Sequence, residues 1–224
     1  MDTGALTRKI VLIYVAALVF LGIIFFVPAG TTDYWQAWAY MAVVLVPAAA
    51  VVAYFLRKDP EFLERRFRTR EKEARQQAII KAAFGIFIIA FIVPGLDRRF
   101  GWSAIPPEIS LAADALVFLG YALVFLVFRE NSYAGRTIEV EKGQKVISTG
   151  PYSIVRHPMY LGSIMMYMAT PIALGSYFAF PLFLLIIPVF VFRILNEEEV
   201  LRRDLPGYAA YCEKTKYRLL PLIW

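Results

Sequence analysis

Apolar and polar stretches alternate along this chain on the length scale of a lipid bilayer. Apolar runs of about 17–22 residues match a hydrocarbon core roughly 30 Å thick at 1.5 Å rise per helical residue. The pattern predicts four spans at about Ile10–Val27, Trp35–Leu56, Ile79–Leu96 and Ile109–Phe128. A helical hairpin then follows, Pro158–Leu174 and Phe178–Phe192, joined by the tight turn Gly175-Ser176-Tyr177. A signal peptide is the competing reading of the first run. Its apolar part is long for one, however, and Pro28-Ala29-Gly30 leads straight into the next span. Trp35 and Trp38 open the second span as an aromatic belt would, and Pro47 is placed to kink it.

The polar segments carry their own signals. Asp59 followed by Pro60 reads as an N-cap and a first helical residue. In the helix so started, Phe62, Leu63 and Phe67 are set to face the lipid surface, with Arg65, Arg66, Arg68 and Arg70 turned to headgroups. Lys81, near the start of the third span, can snorkel. Asp114 falls about one turn inside the fourth span, where an ionisable residue is a functional candidate unless it reaches interfacial water. Its nearness to the helix end favours the water. Between Arg129 and Arg156 the chain is polar. Ile138-Glu139-Val140-Glu141 alternates like a short strand, and Lys142-Gly143-Gln144 reads as a turn. The tail Arg193–Trp224 is expected to be a charged helix stopped at Pro206-Gly207, then a short piece bearing Tyr208 and Tyr211. With no internal repeat, residues 1–224 read as one membrane-embedded domain, with four spans in 1–128 and two spans plus the tail in 129–224. The fold class is an all-α integral membrane protein of about six transmembrane helices.

Composition agrees. The 224 residues are 59% apolar and 16% aromatic, with a mean hydropathy of +0.58, which removes an ordinary soluble domain from consideration. A net charge of +6 would suit nucleic acid, but in a polytopic chain basic residues mark cytoplasmic loops and anionic headgroups. With the N-terminus placed in the cytoplasm and six spans drawn, all of the 24 Lys and Arg except Arg98 and Arg99 fall on one side. Both termini are therefore expected in the cytoplasm, in a bacterial inner membrane or an endoplasmic reticulum. The single cysteine, Cys212, excludes an intrachain disulfide, and no C-x-x-C or His cluster offers a metal site.

Candidate chemistry concentrates in Gly150-Pro151-Tyr152-Ser153-Ile154-Val155-Arg156-His157-Pro158-Met159-Tyr160-Leu161-Gly162, which holds the only histidine. Proline bars the residue before it from helical backbone angles and suits the first helical position. His157 is thus expected at the N-cap of a helix beginning at Pro158, with the first-turn N–H groups and the positive dipole end beside His157 and Tyr160. Two readings stand: a cap at a membrane interface, or a site for a carboxylate or phosphate. The three-residue turn of the hairpin brings the end of its second helix back beside the start of its first, so Arg193, Glu197 and Glu198 should approach His157 and Tyr160. Glu198–Arg202 and Glu199–Arg203 are also ordinary i, i+4 pairs. An Arg193–Glu197 pair either pins the helix at the interface or binds a ligand.

The run G-P-Y-x-x-V-R-H-P-x-Y-x-G, followed by Arg193, Glu197 and Glu198, resembles the isoprenylcysteine carboxyl methyltransferase and phospholipid methyltransferase families over about Asn131–Trp224. These are membrane-embedded enzymes that use S-adenosylmethionine. The resemblance implies that the cytoplasmic helical tail completes a cofactor pocket. It assigns cofactor contacts to Gln144, Lys145, Val146 and Ile147, to Gly150 and Tyr152, to His157, Pro158 and Tyr160, and to Glu197 or Glu198. Arg193 would face the acceptor, and Arg193, Glu197 and Glu198 would form the catalytic set. The implied partners are the bilayer and a lipophilic or small methyl acceptor entering sideways between spans, with no nucleic acid and no metal. Membrane sterol reductases that use NADPH carry a similar R-H-P-x-Y-x-G, but there an acidic residue usually follows the glycine and Asn follows the proline. Here those places hold Ser163 and Met159. A transporter subunit is the third class, against which the span interiors hold almost no polar residues.

Overall fold

The computed structural model describes residues 3–66, 74–134, 140 and 143–224, with the side chains of residues 3, 5 and 74–83 outside that description. Among the described residues the regular structure is helical. Three long helices come first: α1 (Thr3–Ala29), α2 (Trp35–Lys58) and, after the short α3 (Pro60–Arg66), α4 (Ala74–Phe100). Then come α5 (Pro107–Glu130), a 3-10 turn at Gly150–Ser153, α6 (Pro158–Ala173), α7 (Phe180–Leu184), α8 (Ile186–Asp204) and α9 (Tyr208–Lys214). Pro28, Pro47, Pro94 and Pro171 all lie inside helices, as membrane helices tolerate when neighbours satisfy the freed carbonyls.

Among the described residues, four segments are long and apolar enough to cross a membrane: Leu6–Ala29, Trp35–Lys58, Pro107–Glu130 and Phe180–Asp204. The expected spans Ile79–Leu96 and Pro158–Leu174 are not among these four. At 16 residues, α6 reaches only about 24 Å, because Pro158 fixes its start and the Gly175 turn its end. Of α4, only the part from Phe84 onward has described side chains. The second helix of the expected hairpin also differs. It breaks at Leu185 between α7 and α8, and α8 then runs unbroken through Arg193 to Asp204, so span and tail helix are one rod.

The helix ends sort into two layers. At one, the Tyr34 hydroxyl donates to the Leu174 carbonyl at 2.5 Å. There the Asp97 carboxylate accepts from the Ser103 amide and hydroxyl and from the Ser176 hydroxyl, and Arg98 donates to the Asp33 carbonyl. The apolar core between them joins Phe25, Tyr40, Met41, Val117 and Ala173. Outward faces stay apolar, as with Leu12 and Phe20 on α1, Leu116 and Leu119 on α5, and Phe192 and Leu195 on α8, which is what lipid requires.

The main partner of α6 is α5 rather than α8. The reason is a reciprocal glycine crossing. A Cβ on Gly120 would stand 2.7 Å from the Gly162 carbonyl oxygen, and one on Gly162 would stand 2.7 Å from the Gly120 oxygen. Small residues of this kind let membrane helices bring their backbones together.

At the other layer, Asp59 caps α3 as its sequence promises, its Oδ1 accepting from the Phe62 amide at 2.9 Å. Phe62 and Leu63 are buried against Phe55 and Phe128 rather than turned to lipid, because the short helix folds under α2 and α5 and fills the gap there. Phe67, Arg68 and Arg70 lie outside the described residues, as do Ile138, Glu139, Glu141 and Lys142 of the expected strand and turn. Asp114 does not reach interfacial water. It is buried between helices, and neither carboxylate oxygen has a hydrogen-bond partner among the described residues.

Candidate active site

The segment leading into α6 is set by local rules. Gly150 has a φ of +56°, a left-handed backbone that suits glycine, and Pro151 follows in the 3-10 turn. The Ser153 hydroxyl closes that turn on the Gly150 carbonyl at 2.7 Å. His157 (φ −123°, ψ 59°) occupies the N-cap position outside the helical region, and the helix begins at Pro158, as X-Pro sterics dictate. Its imidazole makes no capping bond. It turns inward instead, with Nε2 at 3.3 Å from Glu198 Oε1.

The C-terminal tail completes this wall. The amides of Arg156 and His157 donate to the carbonyls of Tyr217 and Arg218, each at 2.9 Å. Arg156 is buried; its Nη1 donates to the Thr215 and Lys216 carbonyls and its Nε to Glu198 Oε1 at 2.7 Å. Arg218 Nε donates to the second Glu198 oxygen at 3.1 Å, and Arg202 lies 3.7 Å from the same atom. Glu198 thus gathers three guanidiniums and an imidazole, leaving no bare charge inside.

One helical position earlier, Glu197 points elsewhere. The Tyr160 hydroxyl donates to Glu197 Oε2 at 2.5 Å and accepts from Arg193 Nε at 2.9 Å. Because Arg193 and Glu197 are one turn apart on α8, Tyr160 of α6 sits between them, and charge on both neighbours strengthens the two bonds.

These groups border a cleft that opens to solvent. Of the residues expected from sequence, Gln144, Lys145, Val146, Ile147, Tyr152, His157, Pro158, Tyr160, Arg193 and Glu197 line it. Gly150 and Glu198 do not. Gly150 abuts Glu130, and Glu198 lies behind the lining residues Arg156 and His157, which it contacts.

Sequence reasoning left out several lining groups. Asn131 Nδ2 donates to the Tyr152 hydroxyl at 2.9 Å, and the Tyr211 hydroxyl donates to the Tyr152 carbonyl at 2.7 Å. Tyr208 and Tyr211, 5.8 Å apart between ring centres, bring α9 over the cleft beside the apolar Leu201 and Leu205. The Tyr208 hydroxyl is buried with no hydrogen-bond partner among the described residues. Burial and then the nearby Glu198 charge push it well above the ordinary phenol range, so it stays a neutral donor. Burial likewise raises Tyr211, to about 12. The i, i+3 spacing of the two tyrosines was the available signal for one shared helical face.

Comparison with known proteins bears on this site. Residues 109–205 match the family described as phospholipid methyltransferase. The Delta(14)-sterol reductase of Mus musculus is 30% identical over 105 residues, covering 43% of this chain and 25% of that protein; the chain spans about a quarter of the length of this relative. Among solved structures, the eukaryotic intramembrane Ras methyltransferase ICMT (isoprenylcysteine carboxyl methyltransferase) aligns over all of this chain and 88% of its own, at 15% identity and a TM-score of 0.47. The matched segment 109–205 carries α6, Arg193 and both glutamates.

Proposed function

We propose that this protein transfers a methyl group from S-adenosylmethionine to a lipophilic or small acceptor bearing a carboxylate, thiol or amine. The observation that carries the reading is the cleft in which Tyr160, Arg193 and Glu197 meet, roofed by tyrosines of α9. The residues present fit such a cofactor. The buried Tyr208 hydroxyl has no partner among the described residues, and an unpaired buried donor implies a ligand or water that satisfies it.

When bound, the cofactor supplies a methyl group already activated on a sulfonium. What remains for the chain is to bind, align and keep dry. Glu197 accepts hydrogen bonds from amino or ribose groups, and the faces of Tyr160, Tyr208 and Tyr211 favour a cation. Gln144 to Ile147 and Tyr152 form the opposite wall. His157 presents the start of α6, where unsatisfied amides suit a carboxylate, and Glu198 positions it by direct contact with Nε2. Arg193 orients an anionic acceptor. Val146, Leu201 and Leu205 limit water, which strengthens the attack of a charged nucleophile. No side chain forms a covalent bond; alignment supplies most of the rate. The asymmetry of Lys and Arg along the sequence supports a cytoplasmic position for the cleft and both termini.

The similarity to a sterol reductase supports a second reading, in which the same cleft takes NADPH. Calorimetric titration of the detergent-solubilised protein with each nucleotide decides. Saturable binding of S-adenosylmethionine without NADPH is expected; the reverse would replace the proposal.

A further inference from the structure

Beyond α9 the chain does not trail off. The amides of Arg218 and Leu219 donate to the Trp224 oxygen at 2.8 and 2.9 Å, and those of Ile223 and Trp224 return to the Leu220 carbonyl at 3.2 and 3.1 Å. The result is a closed turn in which Leu222 takes a φ of 68°, a backbone state that leucine rarely adopts. That state throws the tip outward. Leu222 is 86% exposed, Ile223 78% and Leu220 44%.

The other face of the turn is buried. Leu219 and Trp224 pack in one apolar cluster with Leu161 and Ile164 of α6 and Phe190 and Ile194 of α8. Phe190 and Ile194 lie in the membrane-crossing segment Phe180–Asp204, whose outward residues Phe192 and Leu195 are exposed. The turn thus packs directly on the membrane-crossing segment. Exposed Lys214 and Lys216 precede it, and the Arg218 guanidinium lies 5.2 Å over the Trp224 ring. Basic residues beside an apolar, tryptophan-bearing edge suit the boundary between headgroups and acyl chains.

We propose that the turn Leu219–Trp224 inserts Leu220, Leu222 and Ile223 into the lipid leaflet on the side of the cleft. The bilayer is then a fixed partner of the tail as well as of the spans. Because the carbonyls of Tyr217 and Arg218 hold the amides of Arg156 and His157, seating the turn in lipid also steadies the cleft wall.

The test is depth measurement in single-copy nanodiscs of phosphatidylcholine and phosphatidylglycerol. A nitrobenzoxadiazole label is placed at Leu222→Cys, or at Ile223→Cys should the first fold poorly, in a Cys212→Ser background. Glu213→Cys on α9 is the reference. A blue-shifted emission at 222 or 223, lost when nitroxide is carried on the acyl chains and untouched by iodide, is expected, with the opposite behaviour at 213. Quenching of the 222 or 223 label by iodide would overturn the insertion. Protection from both quenchers would overturn it too, since protein rather than lipid would then cover the tip.

Discussion

Glu198 and Arg156 form a buried ion pair at 2.7 Å across 42 residues of sequence, and His157 shares the same carboxylate oxygen. Removing the acid strands Arg156 inside the protein. Breaking a buried pair from one side costs roughly 3–5 kcal/mol, so Glu198→Gln should lower the thermal midpoint of the solubilised protein sharply. Glu197→Gln, one position away and half-buried, should leave the midpoint near the parent's while weakening binding of S-adenosylmethionine. Scanning fluorimetry beside calorimetry separates the two. Equal midpoints for both variants would refute this division of roles.

Tyr160 bridges Arg193 and Glu197 through a single oxygen. Tyr160→Phe keeps the ring and its packing but deletes that oxygen. A hydrogen bond to a charged partner contributes about 1.5–3 kcal/mol, so affinity for S-adenosylmethionine, or the rate at saturation, should fall roughly ten- to a hundredfold. Helical content by circular dichroism should not change. Wild-type affinity and rate together would show that the bridge only pins α8.

Much of this site could be read from residues close in sequence. The X-Pro rule placed His157 and the start of α6, Asp59-Pro60 marked the cap of α3, and a short turn was enough to return Arg193 and Glu197 to Tyr160. What the sequence hid depends on contacts remote along the chain. Nothing local shows that residues 215–218 fold back onto Arg156 and His157, or that these two line the cleft in front of Glu198. Periodicity also cannot rank helix neighbours. The hairpin turn implied α6 against α8, whereas two glycines 42 positions apart set α6 on α5. Asp114 showed the limit of counting turns from a helix end, since neighbouring helices rather than depth bury it.

That aspartate makes its own prediction. Its two oxygens are buried without partners among the described residues, and a charged residue in a transmembrane helix carries a penalty of up to about 2.5–3.5 kcal/mol on insertion scales. Asp114→Asn keeps the shape and removes the charge. The thermal midpoint should hold or rise, by less than that limit. A marked fall would mean that the carboxylate engages a bound cation or another group that the amide cannot replace.

The crossing of α5 and α6 can be tested with one methyl group. In Gly162→Ala the new Cβ meets the Gly120 carbonyl at 2.7 Å and Val124 at 2.9 Å, so the helices must part. Overpacking of this kind costs typically about 1–3 kcal/mol. Since α6 carries His157 and Tyr160, nucleotide affinity should fall along with stability. Gly22→Ala is the matched control: no atom lies within 4 Å of the place its methyl would take on α1, and alanine gains up to about 1 kcal/mol over glycine in a helix. Its midpoint should stay level or rise. Thermal midpoints and titrations on both variants check the contrast, which fails if Gly162→Ala behaves like Gly22→Ala.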